Sequence, residues 1–262
     1  MIYKSLKIPY PLSRYADNIY YISMAAMAYK KNIIPDGKTD ILFNLNSNKL
    51  GFYKSGKVIY TGDSIMQGLR KENFHYVAKD KIELVGIRLM PFGINTLFKI
   101  PPSELPDDPV ELSQVAGKYT KELEAKLIET PEPEDKFKIL LEWLMELFKK
   151  SEEKNGMMID AVCKIYNSQG KSGIMDVSSN SYNYYKKIQR SFREAIGISP
   201  KLYARMVRFE SLHNSIIKCD KIDWLEIVTK YNFYDQSHLT KEFQFFTSHS
   251  PQEFVRKKER FI

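Results

Sequence analysis

A pattern of residue types that occurs twice in the last third of the chain constrains the fold more than any other feature. Segments 188–203 and 239–254 each begin with an aliphatic residue, followed by a basic residue two positions later and a phenylalanine four positions later. A Ser-Pro pair stands seven and eight positions after that phenylalanine, and an aromatic residue stands three positions after the proline. Serine accepts free N–H groups at a helix start, and proline suits the first helical position. Each copy therefore predicts a helix with a buried stripe and a basic face, then a turn, then a second helix.

The residues before each copy predict a helix-turn-helix unit. Apolar residues between positions 224 and 228 indicate a short helix before the second copy, and Ile174 and Val177 indicate one before the first. In the second unit, Asn232 can end the short helix in the left-handed conformation, and Asp235 can cap the next helix. A short helix, a tight turn and a second helix with an exposed polar face is the layout that places a helix in the major groove of DNA.

The first hundred residues have the pattern of strands and turns. Segments 40–45 and 57–63 are short strand-like runs, and 81–89 alternates polar and apolar residues as a half-buried strand does. Segment 35–37, Pro-Asp-Gly, is typical of a turn. Several such runs predict a small β-barrel or β-sandwich. A helical pattern follows, with an apolar stripe between residues 137 and 148.

These patterns together predict an α+β chain of two domains. Its 262 residues suffice for two domains of ordinary size. We expect residues 1–150 to form a β-rich sensor or dimerisation domain with trailing helices, and the polar segment 151–156 to be a linker. Residues 157–262 are expected to form an all-α domain of about seven helices that contains both helix-turn-helix units.

The positive charge of the chain is concentrated in the predicted helical domain. The net charge is +8, and from residue 155 onward 17 Lys and Arg stand against 11 Asp and Glu. The preceding 154 residues hold 23 basic against 21 acidic residues. An excess of positive charge favours a polyanionic partner, of which double-stranded DNA is one.

Several other classes of function find no support in the residues. The chain lacks a run of about eighteen apolar residues and an N-terminal signal peptide, so we expect a cytoplasmic protein without a membrane partner. Two distant cysteines, Cys163 and Cys219, and four scattered histidines predict buried free thiols, no metal site and no cofactor. No phosphate-binding glycine loop, nucleophile elbow or HExxH motif occurs, so we do not expect an enzyme.

The second copy resembles the signature of AraC/XylS-type transcriptional regulators. The resemblance is carried by Ile227, by segment 232–243 and by segment 250–254, and segment 188–200 matches the same signature more loosely. Segments 34–45 and 84–93 resemble a poorly characterised β-rich domain that often precedes this DNA-binding domain. The chain departs from the family at Asn232 and Ser248, where glycine is usual. The resemblance implies a C-terminal DNA-binding domain over about residues 157–260.

The resemblance also implies which side chains contact DNA, since the second helix of each unit enters the major groove. From the first unit, Lys186, Gln189 and Arg190 are expected to reach base edges. From the second unit, the residues expected to do so are Gln236, Ser237, His238 and Lys241, of which Lys241 can serve a base or a phosphate. The residues expected to contact the DNA backbone are Tyr185, Lys187 and Thr240.

The function predicted from these observations is sequence-specific regulation of transcription. An unknown small-molecule effector or a second copy of the chain, giving a homodimer, would bind the N-terminal domain. One alternative is a small-molecule-binding or protein-binding co-regulator whose helical domain does not read DNA specifically. Another is an enzyme whose chemistry lies in the β-rich domain, with the helices acting as a tether.

Overall fold

The N-terminal part of the chain is built from two antiparallel sheets. The computed structural model describes residues 1–25, 29–46, 50–54, 57–61, 64–78, 80–105, 108–117, 119–151, 156–172, 182–219 and 221–257. The strands are β1 (Ile2–Lys7), β2 (Ala16–Met24), β3 (Tyr29–Ile33), β4 (Thr39–Asn44), β5 (Leu50–Lys54), β6 (Lys57–Thr61), β7 (Ile65–Gln67), β8 (Phe74–Ala78), β9 (Ile82–Leu89) and β10 (Val110–Glu111). The three predicted strand-like runs coincide with β4, β6 and β9.

The larger sheet has the strand order β1-β2-β9-β4-β7-β10, and the smaller has the order β3-β8-β5-β6. Among the described residues the strands form these two sheets and not a closed barrel, so of the two predicted alternatives the sandwich is the one observed. β4 lies between β9 and β7, and its first five residues are buried, as expected for a central strand. Leu42, Ile65 and Leu84 form a small apolar cluster on the face of the larger sheet that is turned toward Leu50 and Tyr76 of the smaller one.

The rest of the described chain is helical. The helices are α1 (Gly93–Phe98), α2 (Leu112–Ala116), α3 (Tyr119–Glu129), α4 (Pro133–Lys149), α5 (Gly156–Asn167), α6 (Tyr182–Ala195), α7 (Pro200–Ile217), α8 (Trp224–Lys230), α9 (Gln236–Thr247) and α10 (Pro251–Arg256). Two domains, β-rich and then helical, are confirmed. Six of the seven helices expected after residue 156 are described, and the short helix marked by Ile174 and Val177 lies outside the described residues.

The two parts of the chain are in close contact. The turn between β3 and β4 lies against α7. Gly37 in this turn has a φ of +74°, and a Cβ at that position would stand 2.8 Å from Cε2 of Tyr203. The ammonium of the neighbouring Lys38 lies 4.0 Å from the centre of the Tyr166 ring on α5. One continuous core therefore extends from the larger sheet into the helices.

Two smaller findings concern single features of the chain. Cys163 is half-buried, whereas Cys219 is exposed because α7 ends at Ile217, so the prediction of a buried thiol is wrong for Cys219. In the part of the chain that the structure describes, no helix is both long and apolar enough to cross a bilayer.

Candidate nucleic-acid interface

The second helix-turn-helix unit consists of α8, the turn 231–235 and α9. The side chain of Asp223 caps α8 by accepting hydrogen bonds from the backbone N–H groups of Leu225 and Glu226, at 2.9 and 3.2 Å. Asn232 follows α8 with a φ of +55°. The carboxylate of Asp235 caps α9 by accepting from the N–H of His238 at 2.6 Å. The roles predicted for Asn232 and Asp235 are thus the ones that the structure shows.

The two copies of the repeated pattern have the same local geometry at their C-terminal ends. α6 is followed by Gly197 with a φ of +84°, and α9 by Ser248 with a φ of +61°. Ser199 then caps α7, and Ser250 forms a capping box with Glu253 at the start of α10. Gly197 and Ser248 differ in residue type but adopt the same left-handed conformation, which residues other than glycine rarely adopt.

Equivalent aromatic pairs support both helices from beneath. The rings of Phe192 and Tyr203 lie 6.0 Å apart in the first copy, and those of Phe243 and Phe254 lie 5.4 Å apart in the second. All four side chains are fully buried. The aromatic residue after each Ser-Pro pair therefore fixes the new helix against the helix before it, which explains the spacing of the repeat.

On α9, four of the five side chains predicted to contact DNA are exposed: Gln236, Ser237, Thr240 and Lys241. The hydroxyl of Thr240 donates to the carbonyl of Gln236 at 2.9 Å. His238 is half-buried instead, with its ring edge-on to Phe233 at 5.5 Å and its Nδ1 3.3 Å from the N–H of Tyr234. The side chain of His238 therefore packs partly against the turn 231–235.

On α6, Lys186, Lys187 and Arg190 are exposed, whereas Tyr185 and Gln189 are half-buried. The amide of Gln189 donates to the Tyr185 hydroxyl at 2.7 Å. Arg190 donates from Nε to Oε1 of Glu194 at 2.7 Å on the solvent-facing surface. The structure starts α6 at Tyr182, which places Tyr185 at the end of its first turn and Lys186 at the start of the second. Residues 173–181 before it lie outside the described residues.

Residues on α7 position the second unit, and sequence reasoning did not identify them. Nε of Arg205 donates to the buried Glu242 of α9 at 2.9 Å. Arg208 lies 4.8 Å above the Phe233 ring and donates to the carbonyl of Asn232 at 3.2 Å. These contacts join residues 24 to 37 positions apart, and the sequence carries no local signal for pairings at such distances.

The N-terminal domain touches the C-terminal ends of both α6 and α9. A Cβ at Gly197 would stand 2.8 Å from Cβ of Pro102, and the amide of Asn73 donates to the carbonyl of Thr247 at 3.2 Å. The contact at Thr247 is at the opposite end of α9 from Gln236 and Ser237, and the contact at Gly197 lies seven residues beyond Arg190. The N-terminal domain thus contacts both helices at their C-terminal ends.

A cavity of about 530 Å³ lies between the two sheets of the N-terminal domain. Its outer walls are apolar, from Ile22, Leu42 and Leu84 of the larger sheet and Ile33 and Leu50 of the smaller. Three tyrosines line it, at positions 3, 20 and 76. Its size falls within the usual range for small-molecule sites, roughly 300–1,000 Å³.

The inner end of the cavity is charged, and one of its residues comes from the helical domain. Arg88 forms an ion pair with Asp36, and Arg70 contacts Asp40 at 3.5 Å. Glu210 of α7 reaches this end of the cavity. Burial, together with the nearby negative charge of Asp36, raises the pKa of Glu210 to about 7.

Within the described residues, no three His, Cys, Asp or Glu side chains are grouped so that they could hold a metal ion. Residues 9–111 match the family model described as a domain of unknown function, DUF6597. The matched region contains β2 to β10, so the expectation of a β-rich and poorly characterised N-terminal domain is confirmed. No curated protein matches the chain.

Solved structures of ToxT from Vibrio cholerae are similar to this chain over most of its length. The structure of the O395 protein has a TM-score of 0.45 and 12% sequence identity, and the alignment covers 97% of this chain and 97% of that one. The structure of unsaturated fatty acid bound wild-type ToxT from strain SCE256 has a TM-score of 0.45 and 10% identity, with 90% of this chain and 94% of that chain covered.

Proposed function

We propose that the chain is a sequence-specific DNA-binding regulator of transcription, of the AraC/XylS type, whose N-terminal domain receives an effector. The observation that supports this best is the geometric equivalence of α6 and α9. Each helix lies over a buried phenylalanine, exposes basic side chains, and ends at a positive-φ residue before a Ser-Pro-capped helix. Two helices that only face solvent would not need the same buried support, the same basic face and the same ending.

In the proposed complex, α6 and α9 enter successive segments of the major groove on one side of double-stranded DNA. An α-helix fits the major groove, and the two segments would lie about 34 Å apart, one turn of DNA. α7, which runs from Pro200 to Ile217 between the two units, would set their separation. One subunit would therefore read a direct, asymmetric site and not half of a palindrome.

The exposed side chains of the two helices would divide into two roles. Arg190 would pair with O6 and N7 of guanine, and Gln236 with N6 and N7 of adenine. Arg190 is already held by Glu194, so binding would exchange that carboxylate for the base. Other exposed groups, among them Lys187, would contact phosphates, and the affinity would fall steeply as salt displaces these contacts.

The N-terminal domain would control how the two helices are presented. Its contacts with Gly197 and Thr247 lie at the C-terminal ends of α6 and α9. A molecule bound in that domain would change DNA binding only if it binds the DNA-competent arrangement more or less tightly than the alternative arrangement. The protein would act in the cytoplasm, where its DNA partner and a diffusible effector meet.

One observation favours a second candidate function, a co-regulator that binds protein through the helical domain. Leu225 and Tyr234 are 68% and 91% exposed at the surface of the second unit. Protein binding is a common reason for large apolar side chains to remain exposed. Association that does not need DNA and does not respond to salt would favour this candidate.

Selection of bound duplexes from a random DNA library, with the full chain, tests the proposal. We expect a two-part motif whose parts lie one turn apart. Arg190→Ala and Lys241→Ala should each lower the affinity for the selected duplex by about fivefold or more, because a base contact contributes roughly 1–3 kcal/mol. Lys164→Ala, at an exposed lysine of α5, is the matched control and should leave affinity unchanged.

Failure to enrich any motif at low salt would remove DNA reading from the proposal and place the protein-binding candidate first. Normal affinity in both the Arg190 and the Lys241 variants would show that α6 and α9 do not supply the base contacts.

A further inference from the structure

The cavity of the N-terminal domain has a polarity that narrows the class of molecule it can hold. One end is apolar, and the other is lined by charged groups of both signs. Tyr20 crosses the floor between the two ends: its ring lies directly over Gly86, where a Cβ would overlap it, and its hydroxyl donates to Asp40 at 3.3 Å. An occupant that fits both ends must combine an apolar body with a polar head.

The charges at the inner end decide the sign of that head. Among the described residues, four carboxylates and three cations meet there: Asp17, Asp36, Asp40 and Glu210 against Lys38, Arg70 and Arg88. Each guanidinium group faces an aspartate: Arg88 forms an ion pair with Asp36, and Nη2 of Arg70 lies 3.5 Å from Oδ2 of Asp40. The third cation, Lys38, is buried behind the cavity against Tyr166, and burial lowers its pKa.

The carboxyl left in surplus is that of Glu210. Among the described residues, no hydrogen bond or ion pair to this side chain is formed, and it lines the cavity. Asp17 also lines the cavity, 3.9 Å from the ammonium of Lys38. A negatively charged head would meet these carboxylates, and each arginine at this end already faces an aspartate. A positively charged head would supply the missing countercharge.

We propose that this cavity binds an amphipathic cation, an ammonium or related head on an apolar body, with the head between Glu210 and Asp17 and the body along Leu42, Leu50 and Leu84. This inference deepens the proposed function and rests on it in one respect: the bound cation is the effector of the DNA-reading domain. Glu210 is carried by α7, which joins the two helix-turn-helix units, so the occupant contacts the helical domain directly.

Binding has a proton balance that follows from the same geometry. With the cavity empty, Glu210 at neutral pH is shared between its protonated and ionised forms, since its pKa is about 7. A cation beside it favours the carboxylate. Binding therefore releases a fraction of a proton from Glu210 to solvent, and this release shrinks at a pH well above the pKa.

The test uses the full chain without DNA and three probes with the same eight-carbon tail: octylammonium, octanoate and octan-1-ol, each below its micelle concentration. Isothermal titration calorimetry at neutral pH should show octylammonium binding at least about tenfold more tightly than octanoate or octanol, and in buffers of different ionisation enthalpy it should show proton release.

Glu210→Gln, which keeps the shape and removes the charge, should weaken octylammonium binding about tenfold and abolish the proton release. Asp17→Asn is a second variant, and it should also weaken octylammonium binding. Glu129→Gln, at an exposed position of α3, is the matched control and should bind like the parent.

Binding of octanoate or octanol as tightly as octylammonium would overturn the assignment of a cationic ligand, as would no binding of any probe, or an unchanged affinity in both the Glu210 and the Asp17 variants. The inference and the proposed function fail separately. Octylammonium binding without enrichment of any DNA motif would contradict the proposed DNA-binding function. Enrichment of a motif without octylammonium binding would contradict the proposed cationic ligand.

Discussion

The carboxylate of Asp235 should hold the first turn of α9 in the helical conformation. It accepts from the N–H of His238 at 2.6 Å, and it lies at the positive end of the helix dipole. Loss of an N-cap costs about 1 kcal/mol, with a range of roughly 0.5–2 kcal/mol. The attraction of the charge to the dipole adds about 0.3–1 kcal/mol. Asp235→Ala should therefore lower the free energy of unfolding by about 1–2 kcal/mol.

A matched set of variants separates the hydrogen bond from the charge and from general destabilisation. Asp235→Asn keeps the cap and loses only the charge, so it should cost about 0.5 kcal/mol. Asp223→Ala removes the cap of α8, which accepts from two N–H groups, and should cost as much stability as Asp235→Ala. For a chain of this size, 1 kcal/mol corresponds to about 2–4 °C in Tm.

DNA binding should distinguish Asp235→Ala from Asp223→Ala. The first turn of α9 carries Gln236 and Ser237, so fraying of this turn removes base contacts, whereas fraying of α8 does not. With 1 kcal/mol of local destabilisation, the affinity for the selected duplex should fall about fivefold in Asp235→Ala and little in Asp223→Ala. The assays are thermal unfolding and fluorescence anisotropy. Equal losses of DNA affinity in the two variants, or equal losses of stability in Asp235→Ala and Asp235→Asn, would refute the reasoning.

Two further predictions concern stability. Ser248 has a φ of +61°, a backbone conformation that is strained for a residue with a Cβ, and its side chain is exposed. Ser248→Gly should therefore raise the free energy of unfolding by about 0.5–1 kcal/mol in a denaturant titration. A decrease would show that this conformation costs serine nothing. The pKa of Glu210 is raised to about 7 in the folded chain. The protonated carboxyl therefore contributes stability that is fully present below the pKa of this group in the unfolded chain and is lost as the pH rises through 7. The Tm of the parent should therefore fall relative to the Tm of Glu210→Gln between pH 5 and pH 8. A difference in Tm that does not change with pH would contradict the raised pKa of Glu210.

The helical domain could be predicted in detail because its signals are local. Asp235, Ser199 and Ser250 cap helices within three residues of themselves, and Asn232 needs only its own φ to end a helix. Apolar spacing within one helix also reports which face is buried. The exposed positions of α6 and α9 followed from the same periodicity, with His238 as the residue that the neighbouring Phe233 draws partly inward.

The strands were predictable as strands, but their partners were not. Alternation of polar and apolar residues in 81–89 shows that one face is buried, yet it does not say that β9 pairs with both β2 and β4. The choice between a barrel and a sandwich depends on those pairings. Nothing in the sequence near Pro35-Asp36-Gly37 indicates that this turn lies against Tyr203, because that contact spans the two domains.

By itself, the sequence determined the two-domain order, the duplicated helix-turn-helix pattern and the basic faces of α6 and α9, since each depends on residues close together in the chain. The tertiary structure alone decided that Arg205 pairs with the buried Glu242, that the N-terminal domain touches the ends of α6 and α9, and that Glu210 of the helical domain completes a cavity between two sheets. Each of these requires groups far apart in the chain to be desolvated together, and the free energy of such burial depends on all the partners at once.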